Sequence, residues 1–333
     1  MPSTRGYFAD LFEAFGGAWN RFWFMPADAL PCSVLRIVVG LLAIVHLLTL
    51  GIDLERWYSR GGLLPPEAVS ALVEVRLASG EVEPSYHWTY LKYFGAPRQL
   101  WFVHAAAIVA AAAFTAGLLT RVSGLLTFAA MLAYVHRAPM IAGHLEPVLG
   151  FLLVYLCIGP AGSYFSVDRW FMKRRDPGGP ADNQPSLWAN LSIRLIQVHT
   201  AMFFLMMGLT KLNGEGWWDG IAIWSLLAQT QSRPVDLTFF QRSGQLGEFF
   251  VNFWTHLVVY YELAFPILIW NRHARPLLLG LGVVIWFSLV LASGLLLFGL
   301  TMLVATAAFI PAETYRAVFT SPTAVGTGKP ALV

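Results

Sequence analysis

The chain has 333 residues, of which 57% are hydrophobic and only 12% are charged, and its net charge is +3. A soluble domain carries roughly 25% charged residues, so this composition argues against a soluble globular protein and favours helices surrounded by lipid. The small net charge, and the lack of a basic run interleaved with aromatic residues, argue against nucleic acid as a partner.

The first element is an amphipathic helix over residues 7–23, and we assign residues 1–29 to it. Its charged residues lie mostly off an apolar stripe at helical spacing, which contains Phe8, Leu11, Phe12, Phe15, Trp19, Phe22 and Trp23. Such a helix lies in the membrane interface or packs on the core of its own protein, and the pattern leaves both alternatives open. No cleavable signal peptide is expected here.

Eight apolar segments follow, each near the roughly 20 residues that a bilayer requires. They lie at about 31–51, 100–119, 122–138, 146–162, 188–212 and 249–270, with two more in the run 275–310. We divide that run near Ser293–Gly294; one long bent helix is the alternative. The sequence therefore predicts an all-α integral membrane protein, with a transmembrane bundle over 30–311 and a cytoplasmic, partly disordered tail over 312–333.

Basic residues orient the bundle, because cytoplasmic loops of membrane proteins are enriched in lysine and arginine. They occur at Arg121, over 169–175 and over 272–275, and eight spans with a cytoplasmic N-terminus place all three inside. We expect a multi-pass protein of the inner (plasma) membrane with both termini in the cytoplasm. The outer segments 52–99 and 213–248 are then long enough to cap a pocket.

Two shorter segments also have predicted roles. Residues 176–186, DPGGPADNQPS, have the composition of a cytoplasmic linker. Asp168 follows Ser166 at the start of a short aromatic segment, which is typical of a residue that caps a helix.

Polar side chains inside the predicted spans require an explanation, because charge in a bilayer is costly. Arg36 and Arg194 lie near span ends, where they can extend to the aqueous interface. His46 and His199 lie deeper and are expected to be neutral and hydrogen-bonded within the bundle. Glu262 lies within its span and must be protonated, paired or facing water. A structural pair with a histidine or arginine and a role in a pocket are the two alternatives.

Lys211 and His144 are the most informative pair. Lys211 ends the fifth span and His144 lies in the loop before the fourth, so the predicted topology places both at the outer side, with Glu146 close to His144. A buried lysine is driven towards its neutral form, which acts as a general base or nucleophile. The alternative is a lysine at a helix end that reaches the interface beside the tryptophan belt formed by Trp217 and Trp218.

Six pieces of the sequence resemble one known family. They are SVLRI (33–37), GHLEP (143–147), SYFSVDRW (163–170), RLIQ (194–197), GLTKLNGEGWWDG (208–220) and YELAFP (261–266). In order and spacing they are similar to bacterial membrane proteins with the horizontally transferred transmembrane (HTTM) domain. This domain is related to the membrane core of the vitamin K-dependent γ-glutamyl carboxylases. The resemblance covers roughly residues 20–311.

The resemblance implies roles for individual residues. In the carboxylases the lysine of this element is the proposed base that deprotonates vitamin K hydroquinone, and a histidine in the outer loop supports that chemistry. The matching residues are Lys211 and His144, and the implied cofactor is a reduced quinone of the vitamin K hydroquinone type. The remaining pocket candidates are Trp217, Trp218, Glu262 and His256.

The chain also departs from the carboxylases. They carry a large lumenal region after the membrane core that helps bind the protein substrate, whereas only residues 312–333 follow here. Residue 286, often histidine in the family, is Trp286, and Thr210 stands where the animal enzymes have a lysine. Quinol or other lipid-phase chemistry is therefore expected in place of glutamate carboxylation.

Three functions remain open at this level. The first is binding of a quinol-like or other lipid-soluble substrate near the outer leaflet, with Lys211 as base; this includes a quinol-dependent oxygenase or carboxylase-like lyase. The second is a non-catalytic lipid or quinone binder, or a scaffold. The third is a transporter, which the scarcity of charges within the spans disfavours. The expected partners are membrane lipids and a lipophilic small molecule, a protein partner being unknown. No motif indicates a metal site or a nicotinamide, flavin or haem cofactor.

Overall fold

The computed structural model describes residues 4–79, 89–176, 184–229 and 234–319. Within these ranges the chain is helical and contains no strand, apart from an isolated antiparallel bridge between Ala27 and Ser186. Most of the predicted linker and residues 320–333 of the predicted tail lie outside the described residues.

Sixteen α-helices and a short 3-10 helix at Tyr90–Tyr93 make up the described chain. The α-helices are α1 (Thr4–Phe24), α2 (Leu30–Ile52), α3 (Leu54–Tyr58), α4 (Pro66–Ala78), α5 (Pro97–Ala116), α6 (Thr120–Arg137), α7 (Leu145–Ile158), α8 (Val167–Arg175), α9 (Leu187–Leu212), α10 (Glu215–Trp218), α11 (Ala222–Leu227), α12 (Phe239–Arg242), α13 (Gln245–Leu268), α14 (Ala274–Ser293), α15 (Leu296–Ala307) and α16 (Ala312–Phe319).

The protein is an α-helical membrane protein. Four helices, α2, α5, α9 and α14, are long and apolar enough to cross a membrane, and α15 with α16, bent by 109°, gives up to five among the described residues. Each of the eight segments predicted as a span coincides with a helix, but α6 and α13 are not among the four qualifying helices, and α7 and α15 have only 14 and 12 residues. The predicted break is confirmed: α14 ends at Ser293, and Gly294 adopts φ +76°. The alternative of one long bent helix over 275–310 is therefore wrong.

Close contacts between backbones hold the bundle together. A Cβ atom added to Gly40 of α2 would overlap the Thr115 hydroxyl and lie 3.0 Å from the Thr115 Cα atom of α5. Helices α9 and α13 run antiparallel: the Phe204 ring lies 4.2 Å from the Phe265 ring, and Gly208 faces Leu263. Small residues allow this approach, since lipid provides no hydrophobic drive between helices.

The basic segments cluster at one end of the bundle, as the sequence predicts. Asp168 at the start of α8 accepts hydrogen bonds from the backbone of Leu119 and from both the backbone and the hydroxyl of Thr120, at 2.7, 2.9 and 2.7 Å. Tyr164, in the turn before α8, donates to Asp28 just after α1 at 3.4 Å, and the Phe22 ring of α1 lies 5.6 Å from the Trp270 ring, so the turn after α13 is at this end too. Asp168 therefore caps the start of α6, and not the aromatic helix α8 to which it belongs, which is capped by Ser166.

Arg36 does not extend to the aqueous interface, so that expectation is wrong. It is fully buried, and its guanidinium donates to the Ala161 carbonyl at 2.7 Å and the Phe165 carbonyl at 2.6 Å. The turn that follows α7 presents its free carbonyls to α2, and these replace water as partners of the charge. Arg36 therefore anchors that turn, which includes the beginning of the SYFSVDRW segment.

Helix α1 packs on the bundle at its end, which is one of the two alternatives left open by its pattern. Phe12, Phe15 and Trp19 are exposed, as expected of an interfacial helix. Its last turn packs on the bundle, because Asn190 of α9 donates to the carbonyl oxygens of Phe22 and Trp23 at 2.8 and 2.9 Å. The side chains of Phe8 and Leu11 lie outside the described residues.

Candidate functional site

The centre of the candidate site is an ion pair between two helices. The Lys211 ammonium lies 2.8 and 2.7 Å from the two carboxylate oxygens of Glu262. The Glu262 side chain is 2% exposed and the Lys211 side chain 16%. Glu262 is thus paired, as predicted, but its partner is Lys211 and not a histidine or an arginine.

The two helices place this pair well inside the protein. Lys211 lies in the last turn of α9, but Glu262 lies about 25 Å along α13 from Gln245 and about 9 Å from Leu268. The part of α13 beyond the end of α9 is covered by α10 and α11: Thr255 accepts a hydrogen bond from the Ile223 backbone at 3.3 Å, and Asn252 donates to the Asp219 carbonyl at 3.2 Å. These short helices form a cap over the pair.

Of the two tryptophans, Trp217 belongs to the site. Its ring centroid lies 5.1 Å from Lys211 Nζ, within the range of a cation–π contact. Trp218 is 64% exposed and donates from Nε1 to the Leu212 carbonyl at 2.7 Å, so it closes the end of α9. Trp217 therefore covers the ammonium, and Trp218 faces away from it.

His144 makes no direct contact with Lys211 among the described residues. It is exposed at the start of α7, and its ring centroid is 6.0 Å from that of Phe298. Among the described residues the two make no hydrogen bond or ring contact with each other. A row of rings leads inward from His144: Phe298 to Trp286 at 5.3 Å, Trp286 to Phe204 at 6.2 Å, and Phe204 to Tyr261, next to Glu262, at 5.6 Å.

Two donors in this aromatic row have no partner. Tyr261 Oη and Trp286 Nε1 are buried and make no hydrogen bond with the described residues. Unpartnered buried donors are uncommon, because each costs about 1–3 kcal/mol. The row therefore offers two hydrogen-bond donors in an otherwise apolar environment.

His256 lies on α13 about 9 Å from Glu262 along the helix axis. Its Nδ1 is 2.9 Å from the Asn252 carbonyl of the preceding turn, and its ring lies 6.2 Å from that of Tyr260. It is half-buried beside Gly220, at the cap formed by α10 and α11. This candidate therefore lies near the site without contacting the ion pair.

A second buried polar cluster lies between α2, α5, α6 and α7. His46 Nε2 is 3.6 Å from Glu146 Oε1, and His104 Nδ1 is 2.7 Å from Tyr134 Oη. A small cavity of about 10 Å³, enough for about one water molecule, is lined by His46, Tyr58, Tyr134 and Glu146 among others. Glu146 was expected beside His144, and His104 was not among the predicted site residues. A histidine in each of the first two predicted spans was the available signal.

His199 is hydrogen-bonded to a neighbouring helix, as predicted, but its side chain is exposed and not buried inside the bundle. Its Nδ1 lies 3.0 Å from Tyr155 Oη, and its ring stacks on that of Phe151 at 4.3 Å.

A larger cavity lies on the far side of the cap. It has a volume of about 580 Å³ and opens between α11, α12 and the start of α13. Trp224, Phe240 and Phe249 form its apolar walls and Asp219 and Glu248 contribute carboxylates, but Lys211 does not line it.

Within the described ranges, no group of three or more histidine, cysteine, aspartate or glutamate side chains is arranged to hold a metal ion. The site is therefore characterised by its own residues: a buried lysine–glutamate pair, a covering tryptophan and a row of aromatic rings. In comparisons with known proteins, no family model, no curated protein and no solved structure matches the chain.

Proposed function

We propose that the chain is a multi-pass membrane protein of the HTTM type, related to the membrane core of the vitamin K-dependent carboxylases. It has eight spans in the inner (plasma) membrane, with both termini in the cytoplasm. It binds a quinol-like or other lipid-soluble molecule near the outer leaflet, and the Lys211–Glu262 pair accepts a proton from that molecule. The buried ion pair is the observation that carries this proposal.

The Lys211–Glu262 pair acts as a general base in two proton transfers. Transfer of one proton from Lys211 Nζ to Glu262 leaves a neutral amine and a neutral carboxylic acid, a form that an apolar environment favours over separated charges. The amine then takes the proton of the substrate hydroxyl, forming an N–H bond as the O–H bond breaks. The resulting ammonium remains beside the oxyanion and stabilises it. Glu262 is in this way part of the base.

The aromatic row supports a ring-bearing substrate. Tyr261 and Trp286 of this row carry buried donors without partners, which match the oxygen acceptors of a quinone. His144, at the outer end of the row, is assigned to hydrogen-bond and orient the same molecule.

The cavity of about 580 Å³ favours a second candidate function. Its volume lies within the usual range of ligand sites, and Lys211 is not among its lining residues. A non-catalytic lipid or quinone binder, or a scaffold for another membrane enzyme, would use such a cavity and retain Lys211–Glu262 as a purely structural pair.

The test uses a change in absorption. An ionised quinol absorbs at longer wavelength than the neutral form, so anaerobic titration of the purified protein with a reduced naphthoquinone reports proton transfer. We expect a red-shifted band for the wild type and its loss in Lys211→Met and Glu262→Gln, with no change in Lys173→Met on the exposed surface of α8. Mass spectrometry of copurifying lipids and quinones provides a second measurement.

The two candidates predict different results. A base loses the red-shifted band in both site variants, whereas a binder retains the same molecules in all variants and shows no such band. The proposal of a base is abandoned if the folded wild type binds the quinol without ionising it.

A further inference from the structure

A polar cavity of about 450 Å³ lies at the end of the bundle where α9 begins. It is bounded by the last turn of α1, the segment that joins α1 to α2, the start of α9 and the start of α16. Its charged lining residues are Arg21, Asp28, Arg194, Glu313 and Arg316. The cavity is remote from Lys211, which lies in the last turn of α9.

Two of the three arginines have no carboxylate partner. Arg316 pairs with Asp28, but Arg21 and Arg194 make no ion pair with any described residue. Arg194 donates to Gln197 Oε1 at 2.8 Å, and its guanidinium lies 4.3 Å from the Phe22 ring centroid. An anion in this cavity would therefore pair with two guanidinium groups that have no carboxylate partner among the described residues.

Exposed apolar side chains, of the kind that contact lipid acyl chains, lie beside the cavity. Trp19 and Phe24 at the end of α1 are exposed, as is Met25, which also lines the cavity. The Trp19 ring lies 6.2 Å from that of Phe15 and 5.8 Å from that of Trp23. Positive charge and exposed apolar surface thus adjoin, and this is the pattern of a surface that binds an anionic head group together with its acyl chains.

We propose that this cavity is a binding site for an anionic phospholipid. Arg21 and Arg194 bind the phosphate, while the exposed apolar residues of α1 contact the acyl chains. A free phosphate ion shares the first interaction but not the second, and the exposed face of α1 is the reason to assign a lipid. Guanidinium groups suit this role because they donate two parallel hydrogen bonds to phosphate oxygens.

Native mass spectrometry of the full-length protein in detergent tests the site, with equimolar phosphatidylglycerol and phosphatidylcholine of identical acyl chains. We expect the wild type to retain phosphatidylglycerol preferentially. Arg21→Gln and Arg194→Gln should each weaken it about fivefold, the effect of one cationic residue near a lipid phosphate. Arg272→Gln, an exposed arginine in the turn between α13 and α14, is the matched control and should leave the preference unchanged.

Measuring the stability of each variant distinguishes a loss of lipid binding from a loss of folding. Arg21 is exposed and makes no described side-chain bond, so Arg21→Gln should fold normally even if Arg194→Gln, which loses its contact with Phe22, does not. Retention of phosphatidylglycerol by Arg21→Gln at the wild-type level would overturn the proposal. Inorganic phosphate is added in a separate arm: if it raises the unfolding temperature of the wild type as much as the lipid does, a free anion is the ligand and the lipid assignment is wrong.

Discussion

Lys211 and Glu262 are 51 residues apart in the chain, yet one ammonium group donates to both oxygens of one carboxylate inside the bundle. Water is not available to Glu262 as an alternative partner, since its side chain is almost completely buried. Each residue therefore determines what the other can do, and the pair behaves as one unit in stability as well as in proton transfer.

Loss of one partner should be more harmful than loss of both. Lys211→Met leaves an unpaired carboxylate in an apolar environment and should destabilise the protein by about 3–5 kcal/mol. The double variant Lys211→Met/Glu262→Leu should be more stable than Lys211→Met alone, because no buried charge remains. Thermal unfolding of all variants in one detergent gives the coupling energy. Strictly additive effects of the two substitutions would contradict the description of the pair as a unit.

Two glycines within helices offer a matched comparison. Gly40→Ala should cost about 1–3 kcal/mol, because its methyl group would collide with the Thr115 backbone of α5. Gly280→Ala in α14 meets no atom within 4 Å and should be neutral or stabilising by up to about 1 kcal/mol. The difference between their unfolding temperatures measures the close packing of α2 on α5, and equal effects would show that α2 and α5 are not in such close contact.

Arg36→Lys should fail to replace arginine. The guanidinium reaches the Ala161 and Phe165 carbonyls with two separate nitrogen atoms, and a single ammonium on a shorter head group cannot occupy both positions. We expect a loss of about 2–4 kcal/mol from a buried cation with incomplete hydrogen bonding. Arg56→Lys, at an exposed position in α3, is the control. Unchanged unfolding of Arg36→Lys would mean that water reaches this charge.

Asp168 should make stability depend on pH in the acidic range. Burial opposes ionisation of its carboxyl, but hydrogen bonds from Thr120 and Leu119 and the positive charge of Arg36 outweigh it and lower its pKa below the ordinary value of 3.8. The folded state therefore binds this proton less readily than the unfolded state. The stabilisation is complete above the unfolded-state pKa and is lost as the pH falls through the folded-state pKa.

Asp168→Asn isolates that contribution. The stability difference between wild type and variant should be largest near neutral pH and should narrow as the pH falls below about 4, where the wild-type carboxyl takes up its proton. Unfolding in denaturant at a series of pH values measures it, with Asp176→Asn at the end of α8 as control. A difference that stays constant over the acidic range would rule out this linkage.

The positions of the helices were predictable because each long apolar segment of the sequence forms one helix. The break at Gly294 was predictable for the same reason, since a serine–glycine step interrupts an otherwise uniform run. The clustering of the basic segments at one end of the bundle also followed from the sequence, as the contacts of Asp168 and Phe22 show.

The site was predictable only in part. Lys211, Glu262 and Trp217 were each identified from residue type and depth, but their contact depends on the register between α9 and α13, which hydropathy does not determine. His144 and Lys211 were expected to converge from a shared side of the membrane. A shared side fixes depth but not lateral position, and a row of aromatic rings separates the two residues.

Arg36 has a consequence for how the protein is made. Its acceptor on Ala161 lies 125 residues later in the chain, so α2 enters the membrane long before the carbonyl groups that will receive its guanidinium have been synthesised. We expect the first span to remain shallow, with this side chain in contact with head groups, until α7 and the following turn have emerged from the ribosome. Helix α2 then reaches its final depth in the membrane only late in biogenesis. In a nascent chain stalled before residue 161, the N-terminal part of α2 should be accessible to water-soluble labelling reagents.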